Sequence, residues 1–204
     1  MGKVKARPEK AGAVPRIFGI AGVGEGVGAT HFSVMFVNYL AGYRRRRAAL
    51  LEWNGSGDLE QMERVCTGMS RDRKPFRVLE ADYFKKAGSG ELSAALAGDY
   101  EDILIDFGNA EKTEWAEFLR CERQFLVGSF SEWQQERFRE FERKKAAEGK
   151  KSWTSLAVFG SEETRREFKR RYRLEALRIP FSADAFAVTW ESRDFFDRLT
   201  GDCM

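Results

Sequence analysis

The stretch that decides the fold is Gly22-Val23-Gly24-Glu25-Gly26-Val27-Gly28-Ala29-Thr30-His31, which holds four glycines within seven residues. An apolar segment, residues 16–21, runs into it, and residues 30–43 behind it have the spacing of an amphipathic helix. A glycine-rich connection between strand and helix lets backbone N–H groups converge on an anion, with the positive helix end behind them. The stretch therefore predicts an anion-binding loop at the first strand–helix junction.

The loop has the shape of a phosphate-binding loop but lacks the lysine of the Walker A motif, G-x-x-x-x-G-K-[ST]. In that motif the lysine reaches the β- and γ-phosphates, and the hydroxyl reaches Mg²⁺. Here Thr30 keeps the hydroxyl, whereas the lysine position is Ala29. The sequence therefore predicts a nucleotide site that has lost its usual charge.

Strand and helix patterns alternate along the rest of the chain, as is typical of a parallel sheet with helices on both faces. Strands are predicted at residues 16–21, 47–52, 76–81, 102–106, 124–127, 155–159 and 176–179, and helices at 30–43, 59–66, 91–97, 113–120, 132–148, 162–172 and 190–199. We expect a three-layer α/β fold of the P-loop NTPase kind. Residues 16–204 are expected to form its single domain, behind a flexible basic tail of residues 1–15.

Composition restricts the class of protein. The net charge of +3 is small for 204 residues and gives no overall argument for nucleic-acid binding. Cys66, Cys121 and Cys203 are odd in number and widely spaced, which favours a reducing compartment over a disulfide framework or a zinc site. No apolar run approaches the roughly 18 residues that span a membrane. We expect a cytoplasmic protein.

A second motif is the segment DILIDFG, residues 102–108, where an apolar strand ends at Asp106. A carboxylate at that point is typical of a Walker B motif, in which it holds Mg²⁺ or its water. Ligands of open α/β sheets bind beyond the carboxyl ends of the strands. We therefore expect the loop, Asp106 and the end of the second strand, at Glu52 and Asn54, to face one crevice. Thr30 and Asp106 are the candidate magnesium ligands.

In order and spacing, these motifs resemble the deviant-Walker ATPases of the MinD/ParA group, from residue 16 to the C-terminus. The loop of that family reads K-G-G-x-G-K-T-[ST]. Laid on this chain, both family lysines are absent, the signature lysine at Gly24 and the Walker lysine at Ala29. The other positions match in part: they are kept at Gly26, Gly28 and Thr30, and replaced at Glu25 and His31.

The resemblance extends to positions beyond the loop. The D-x-D that ends the family's second strand falls on Glu52-Trp53-Asn54, and Ile179-Pro180 resembles the segment that flanks the base. Phe159-Gly160 stands where the family usually has an asparagine. The resemblance thus implies a site for ATP or ADP with Mg²⁺, or a site that has lost its ligand, made by Gly24, Glu25, Gly26, Val27, Gly28, Ala29, Thr30, His31, Asn54 and Pro180.

Loss of both lysines predicts weak or no nucleotide binding, since a charge-assisted hydrogen bond contributes about 1.5–3 kcal/mol. Glu25 adds a negative charge to the loop, and no catalytic residue is assigned. The chain is most similar to the atypical TadZ/CpaE branch, whose members help to position pilus or secretion machinery. The resemblance implies a pseudo-ATPase that acts as a localisation or assembly scaffold. It would work with a protein partner or as a homodimer, recruited to membrane-associated machinery.

Several alternatives stay open. An unusual but active ATPase would take its missing charge from arginines or from a partner. Residues 24–29 also fit G-x-G-x-x-[GA], with Glu52 as the ribose-binding acid of a Rossmann dinucleotide site. The arginine cluster Arg44, Arg45, Arg46 and Arg47 suits a nucleic acid or an anionic membrane surface. The same cluster also complements a helix dipole at its C-terminal end.

Purely structural roles compete with the binding roles. Thr30 and Asp58 are good helix N-caps, and Glu52 and Asn54 are able to satisfy loop backbone groups. Aromatic residues on two helices are expected in the core: Phe138 and Phe141, which are three residues apart, and Trp190, Phe195 and Phe196 near the C-terminus.

Overall fold

The computed structural model describes residues 14–70, 75–147 and 153–201, so the expected tail lies almost wholly outside the described residues. The strands are β1 (Arg16–Gly22), β2 (Ala48–Glu52), β3 (Phe76–Val78), β4 (Ala81–Phe84), β5 (Asp102–Asn109), β6 (Arg123–Ser129), β7 (Thr154–Val158) and β8 (Leu177–Arg178). The helices are α1 (Ala29–Asn38), α2 (Asp58–Thr67), α3 (Ser89–Ala97), α4 (Trp115–Arg120), α5 (Gln135–Ala147), α6 (Glu162–Tyr172) and α7 (Trp190–Thr200), and a π-helical turn (Tyr39–Tyr43) extends α1.

The eight strands form one sheet in the order β3-β4-β2-β5-β1-β6-β7-β8, with helices on both faces. Every pair is parallel except β3 and β4. This confirms the predicted α/β class. β1 lies near the middle, with β5 and β2 on one side and β6 and β7 on the other, so connections diverge around it. Ligands of open parallel sheets bind at such a point, beyond the carboxyl ends of the strands.

Aromatic rings fill the core between the sheet and helices α1 and α7. The Phe36 ring stacks on Phe196 with centroids 5.0 Å apart and meets Phe18 edge-on at 5.1 Å. Phe195 and Phe196 are buried as expected. The expectation for Trp190 is wrong, because this first residue of α7 is 72% exposed. The buried face of α7 continues instead through Leu199, one helical turn beyond Phe195.

The aromatic residues three positions apart on α5 belong to the core, as their spacing predicts. Phe138 and Phe141 are both buried. The Phe138 ring lies so close to β6 that a side-chain Cβ at Gly128 would fall 2.5 Å from it, so only glycine fits at that position. No helix among the described residues has both the length and the apolar character to cross a membrane.

Three local predictions need correction. The expected strand at residues 76–81 is an antiparallel hairpin, β3 and β4, with Leu79 in the left-handed region at φ 52°. Thr30 and Asp58 are not the N-caps of α1 and α2. Gly28 and Gly57 are, with φ of 90° and 81°. Each helix is entered through a left-handed turn, a conformation in which glycine avoids the strain that a Cβ brings.

The arginine cluster lies at the amino edge of the sheet and is largely engaged in ion pairs. Arg46, together with Arg16, donates to the Asp102 carboxylate, which is fully buried at the start of β5. The further pairs are Arg44 with Asp197 at 3.6 Å and Arg47 with Asp99 at 2.6 Å. Most of the charge proposed for nucleic acid or membrane is therefore used to hold the fold together, with Arg45 left exposed.

Candidate functional site

The glycine loop turns sharply between β1 and α1 at the carboxyl edge of the sheet. The Val23 N–H donates to the Val127 carbonyl of β6 at 2.9 Å, which anchors the loop to its neighbour strand. Gly26 and Gly28 adopt φ of 70° and 90°. The N–H groups in the first turn of α1 have no partner within the helix and carry the positive end of its dipole. This is the geometry that an anion-binding loop requires.

The two candidate magnesium ligands are brought together beneath the loop. Asp106 of β5 is buried and accepts the Gly108 N–H at 2.9 Å. The pKa of Asp106 is raised to about 6, chiefly by burial, with a smaller contribution from the nearby Glu52 charge. Hydrogen bonds from the Thr30 side chain and from Gly108 oppose that rise in the pKa. The loop hydroxyl and the Asp106 carboxylate are therefore adjacent, as the Walker A and Walker B comparison predicts, although β5 continues to Asn109 and does not end at Asp106.

This pair suits a magnesium ion that arrives with a phosphate ligand. Within the described ranges, no group of three or more His, Cys, Asp and Glu side chains is placed to hold a metal ion. Mg²⁺ commonly keeps several waters and binds through one or two protein ligands plus substrate phosphates. Thr30 and Asp106 fit that donor set.

An open cleft of about 580 Å³ lies on one side of the loop. Its walls are the loop, the turn between β2 and α2 with the start of α2, and the last residues of β5 with the segment that follows. These walls comprise Gly24 to His31, Trp53, Asn54, Ser56, Asp58, Phe107, Gly108, Asn109, Lys112, Thr113 and Glu114. The expected crevice is therefore present and Asn54 lines it, whereas Glu52 and Asp106 are buried and are not among the residues of its walls. Among the described residues that line it, Lys112 is the only lysine or arginine.

A second cavity of about 270 Å³ lies on the other side of the same loop. Phe159, Pro180 and Phe181 line it, and the loop residues Gly26, Val27, Gly28 and His31 line both cavities. His31 Nε2 lies 2.9 Å from the Ser182 carbonyl oxygen, which ties the start of α1 to the segment after β8. Pro180 thus belongs to an apolar compartment, separate from the cleft that contains Asn54.

The end of β2 has a structural role. Glu52 is buried, and its carboxylate accepts the Ser56 hydroxyl at 3.1 Å and the N–H groups of Leu59 at 3.0 Å and Lys86 at 3.1 Å. A carboxylate with these partners is not presented to a ribose, which removes the basis of the Rossmann alternative. Asn54 likewise accepts the Ser56 N–H at 2.8 Å, although it also lines the cleft.

Sequence reasoning missed the cations beside the loop. Lys112 Nζ lies 2.7 Å from Oε1 of Glu25, and the Arg137 guanidinium of α5 packs against Gly24. Lys112 follows β5, the strand that carries Asp106 and that ends at Asn109, so its place at the carboxyl edge was a usable signal. No local pattern connects Arg137 with Gly24, since their contact depends on how α5 packs.

Solved structures of known proteins share this fold. No protein-family model matches the sequence, and no curated protein matches it. Among solved structures, the MinD cell division protein of Aquifex aeolicus matches with a TM-score of 0.65 at 12% identity, over 93% of this chain and 98% of that chain. A ParA family ATPase from Chlorobium tepidum matches with a TM-score of 0.60 at 15% identity, over 84% and 87%. The chain has the MinD/ParA-type P-loop ATPase fold.

A third structure shows how widely this fold is used. Cobyrinic acid a,c-diamide synthase from Mycobacterium smegmatis, with bound ADP and magnesium, matches with a TM-score of 0.63 at 15% identity. The match covers 91% of this chain and 94% of that chain. Proteins with different tasks therefore share the MinD/ParA-type fold, and function has to be argued from the site.

Proposed function

We propose that residues 22–31 bind a nucleotide weakly, as ADP or ATP with Mg²⁺. The observation that carries this proposal is the hydrogen-bonded pair of Thr30 and Asp106 beneath a loop with left-handed glycines. The cleft, which is lined by the glycine loop and Lys112, would receive the phosphates, and the apolar cavity on the other side of the loop, with Phe159 and Pro180, suits a flat base. The ADP and magnesium in the M. smegmatis synthase structure support the same ligand class.

Hydrolysis is expected to be slow or absent. Phosphoryl transfer depends on fixed positive charge where negative charge develops in the transition state. Gly24 and Ala29 place no charge at the two lysine positions of the family loop, and Glu25 brings a negative charge there. We therefore propose that the protein is a pseudo-ATPase, in which the nucleotide site has a structural role.

The proposed role is that of a TadZ/CpaE-like scaffold that localises or assembles pilus or secretion machinery from the cytoplasm. A scaffold needs a surface for a protein partner or for a second copy of itself. Three exposed aromatic side chains follow the adjacent strands β6, β7 and β8 at the carboxyl edge: Trp133, Phe159 and Phe181. Such residues favour protein association next to the nucleotide site.

Calorimetric titration with Mg·ADP, Mg·ATP and NAD, followed by a phosphate-release assay, tests the nucleotide site. We expect weak binding of both Mg·nucleotides, loss of that binding in Thr30→Ala, and no binding of NAD. We expect no phosphate release above background. Turnover of about 1 s⁻¹ or more that disappears in Asp106→Ala would instead identify an active ATPase.

A test of the scaffold role uses the exposed aromatics. Sedimentation and pull-down with the secretion or pilus components of the source organism should show an assembly that depends on Trp133 and Phe181. Leu177→Ala is a matched control, because Leu177 is also an exposed apolar residue but lies within β8. Equal assembly by all variants would contradict the proposed surface.

A further inference from the structure

An exposed ion pair spans the mouth of the cleft. Lys112 Nζ lies 2.7 Å from Oε1 of Glu25, and the two side chains are 74% and 75% exposed. Glu25 belongs to the loop and Lys112 to the segment after β5, so the pair connects two walls of one cleft. Exposed pairs of this kind are weak and exchange their partners easily.

A second cation reaches the loop from α5. The Cζ atom of Arg137 lies 2.9 Å from the point where a Cβ at Gly24 would stand, so the guanidinium packs directly on the loop backbone. Arg137 also pairs with Glu111 at 3.2 Å. The pKa of Glu25 is lowered, first by the hydrogen bond and charge of Lys112 and then by the charge of Arg137. Glu25 thus lies within the electrostatic influence of both Lys112 and Arg137.

The positions of Lys112 and Arg137 are informative because both residues lie beside the loop and not in it. Gly24 and Ala29 leave the loop itself without lysine or arginine, whereas Lys112 approaches it from the segment after β5 and Arg137 from α5. The described residues that line the cleft include three acids, Glu25, Asp58 and Glu114, against the single cation Lys112. A phosphate-bearing ligand would be repelled there unless Lys112 turned toward it.

We infer that Lys112, with Arg137 behind Gly24, supplies the positive charge for a polyphosphate ligand, and that Glu25 is the internal anion which this ligand displaces. The inference rests on the proposed nucleotide site and names the cations that this site uses. The flexible four-carbon stem of lysine allows Nζ to move from Glu25 to a phosphate oxygen. Competition from Glu25 lowers the apparent affinity, because only the fraction of molecules with Lys112 released is ready to bind.

The test is calorimetric titration of the full chain with Mg·ADP and with magnesium pyrophosphate at constant ionic strength. Lys112→Met should weaken the binding of both ligands about tenfold, the size expected for one exposed charge-assisted contact. Glu25→Gln should tighten binding about threefold, and this gain should shrink when Lys112→Met is also present, because the two residues act on each other. Arg137→Gln should weaken binding less than Lys112→Met does.

Matched controls come from a similar pair that is remote from the cleft. Lys169 and Glu175 lie 2.8 Å apart and are also exposed, at the end of α6 and just after it. Lys169→Met and Glu175→Gln change the net charge by the same amounts and should leave binding unchanged. Thermal unfolding of every variant checks that the fold is retained.

The outcomes separate this inference from the proposal on which it rests. If Thr30→Ala abolishes binding while Lys112→Met and Lys169→Met behave alike, the nucleotide site stands and the role of Lys112 is wrong. If Lys112→Met weakens Mg·ADP but not pyrophosphate, the lysine does not act on phosphates, which also overturns the inference. If neither the wild type nor Glu25→Gln binds either ligand, both proposals fail together.

Discussion

Glu52, the last residue of β2, is paired in register with Asp106 of the neighbouring parallel strand β5, and both carboxylates are buried. They have different partners. Glu52 accepts backbone N–H groups from two separate segments, whereas Asp106 accepts Gly108 and the Thr30 hydroxyl. One acid therefore holds loops in place, and the other is buried beside Thr30 of the glycine loop.

The raised pKa of Asp106 makes stability depend on pH. The unfolded chain loses this proton near the ordinary value of 3.8, and the folded chain near 6. Between those values the folded state binds more protons than the unfolded state, so the free energy of unfolding falls as pH rises. The loss of stability that comes from ionising Asp106 is complete above about pH 6. Asp106→Asn should therefore stabilise the protein at pH 7.5 by up to about 2 kcal/mol, with a smaller gain at pH 4.5.

Urea denaturation of Asp106→Asn at the two pH values measures this effect. Asp99→Asn is the control, because the Asp99 side chain is 81% exposed and should show no such difference between the two pH values. A variant that is less stable than the wild type at pH 7.5 would contradict the prediction.

Glu52→Gln should destabilise the fold strongly. The amide has one acceptor oxygen where the carboxylate has two, so an N–H group of Leu59 or Lys86 is left facing an NH₂ group. An unsatisfied buried donor costs about 1–3 kcal/mol. Chemical denaturation measures the loss, with the exposed Glu80→Gln as control. A stable Glu52→Gln that differs only in NAD binding would restore the dinucleotide alternative.

The arginine cluster should matter for stability more than for binding. Asp102→Asn removes the buried partner of Arg16 and Arg46 and should cost about 3 kcal/mol or more, as breaking a buried ion pair usually does. Arg45→Gln should change stability by less than about 0.5 kcal/mol, as is usual for an exposed side chain. Low-salt binding to DNA and anionic vesicles, lost in Arg45→Gln at unchanged stability, would show a functional surface instead.

Returning charge to the loop should strengthen binding. Ala29 lines the cleft at the Walker lysine position, so Ala29→Lys places an ammonium group beside the expected phosphates. We expect Mg·ATP to bind about tenfold more tightly, the gain of one charge-assisted contact. Ala97→Lys adds the same charge on an exposed position of α3 and should have no effect. No gain in Ala29→Lys would mean that the cleft does not receive phosphates.

Sequence patterns predicted the sheet because its central strands are long apolar runs. β1 and β5 stand out in this way, and the glycine loop and Asp106 fix which ends of those strands face the site. The β3–β4 hairpin was missed because its turn contains Leu79 at positive φ, where glycine or asparagine is the usual signal. Trp190 was misplaced because an aromatic residue at a helix start has no neighbours in sequence that fix its direction.

The backbone of the candidate site was predictable from the sequence, whereas the cations beside it were not. The Thr30–Asp106 pair follows from the strand–loop–helix order, because parallel strands end at one edge. The ion pair of Glu25 and Lys112 joins residues 87 positions apart, and α5 brings Arg137 to Gly24 through packing alone. Charges absent from a motif can thus be supplied by segments that the motif does not include.

Gly26, Val27, Gly28 and His31 face both cavities, so this short segment is a partition between a chamber with charged side chains in its walls and an apolar one. A molecule that fills both chambers has to bend around it. The choice of ligand therefore depends on the flexibility of the ligand as well as on its charge. Compounds with a rotatable link between an anionic end and a flat end fit both chambers, whereas rigid, linear compounds of the same composition reach only one.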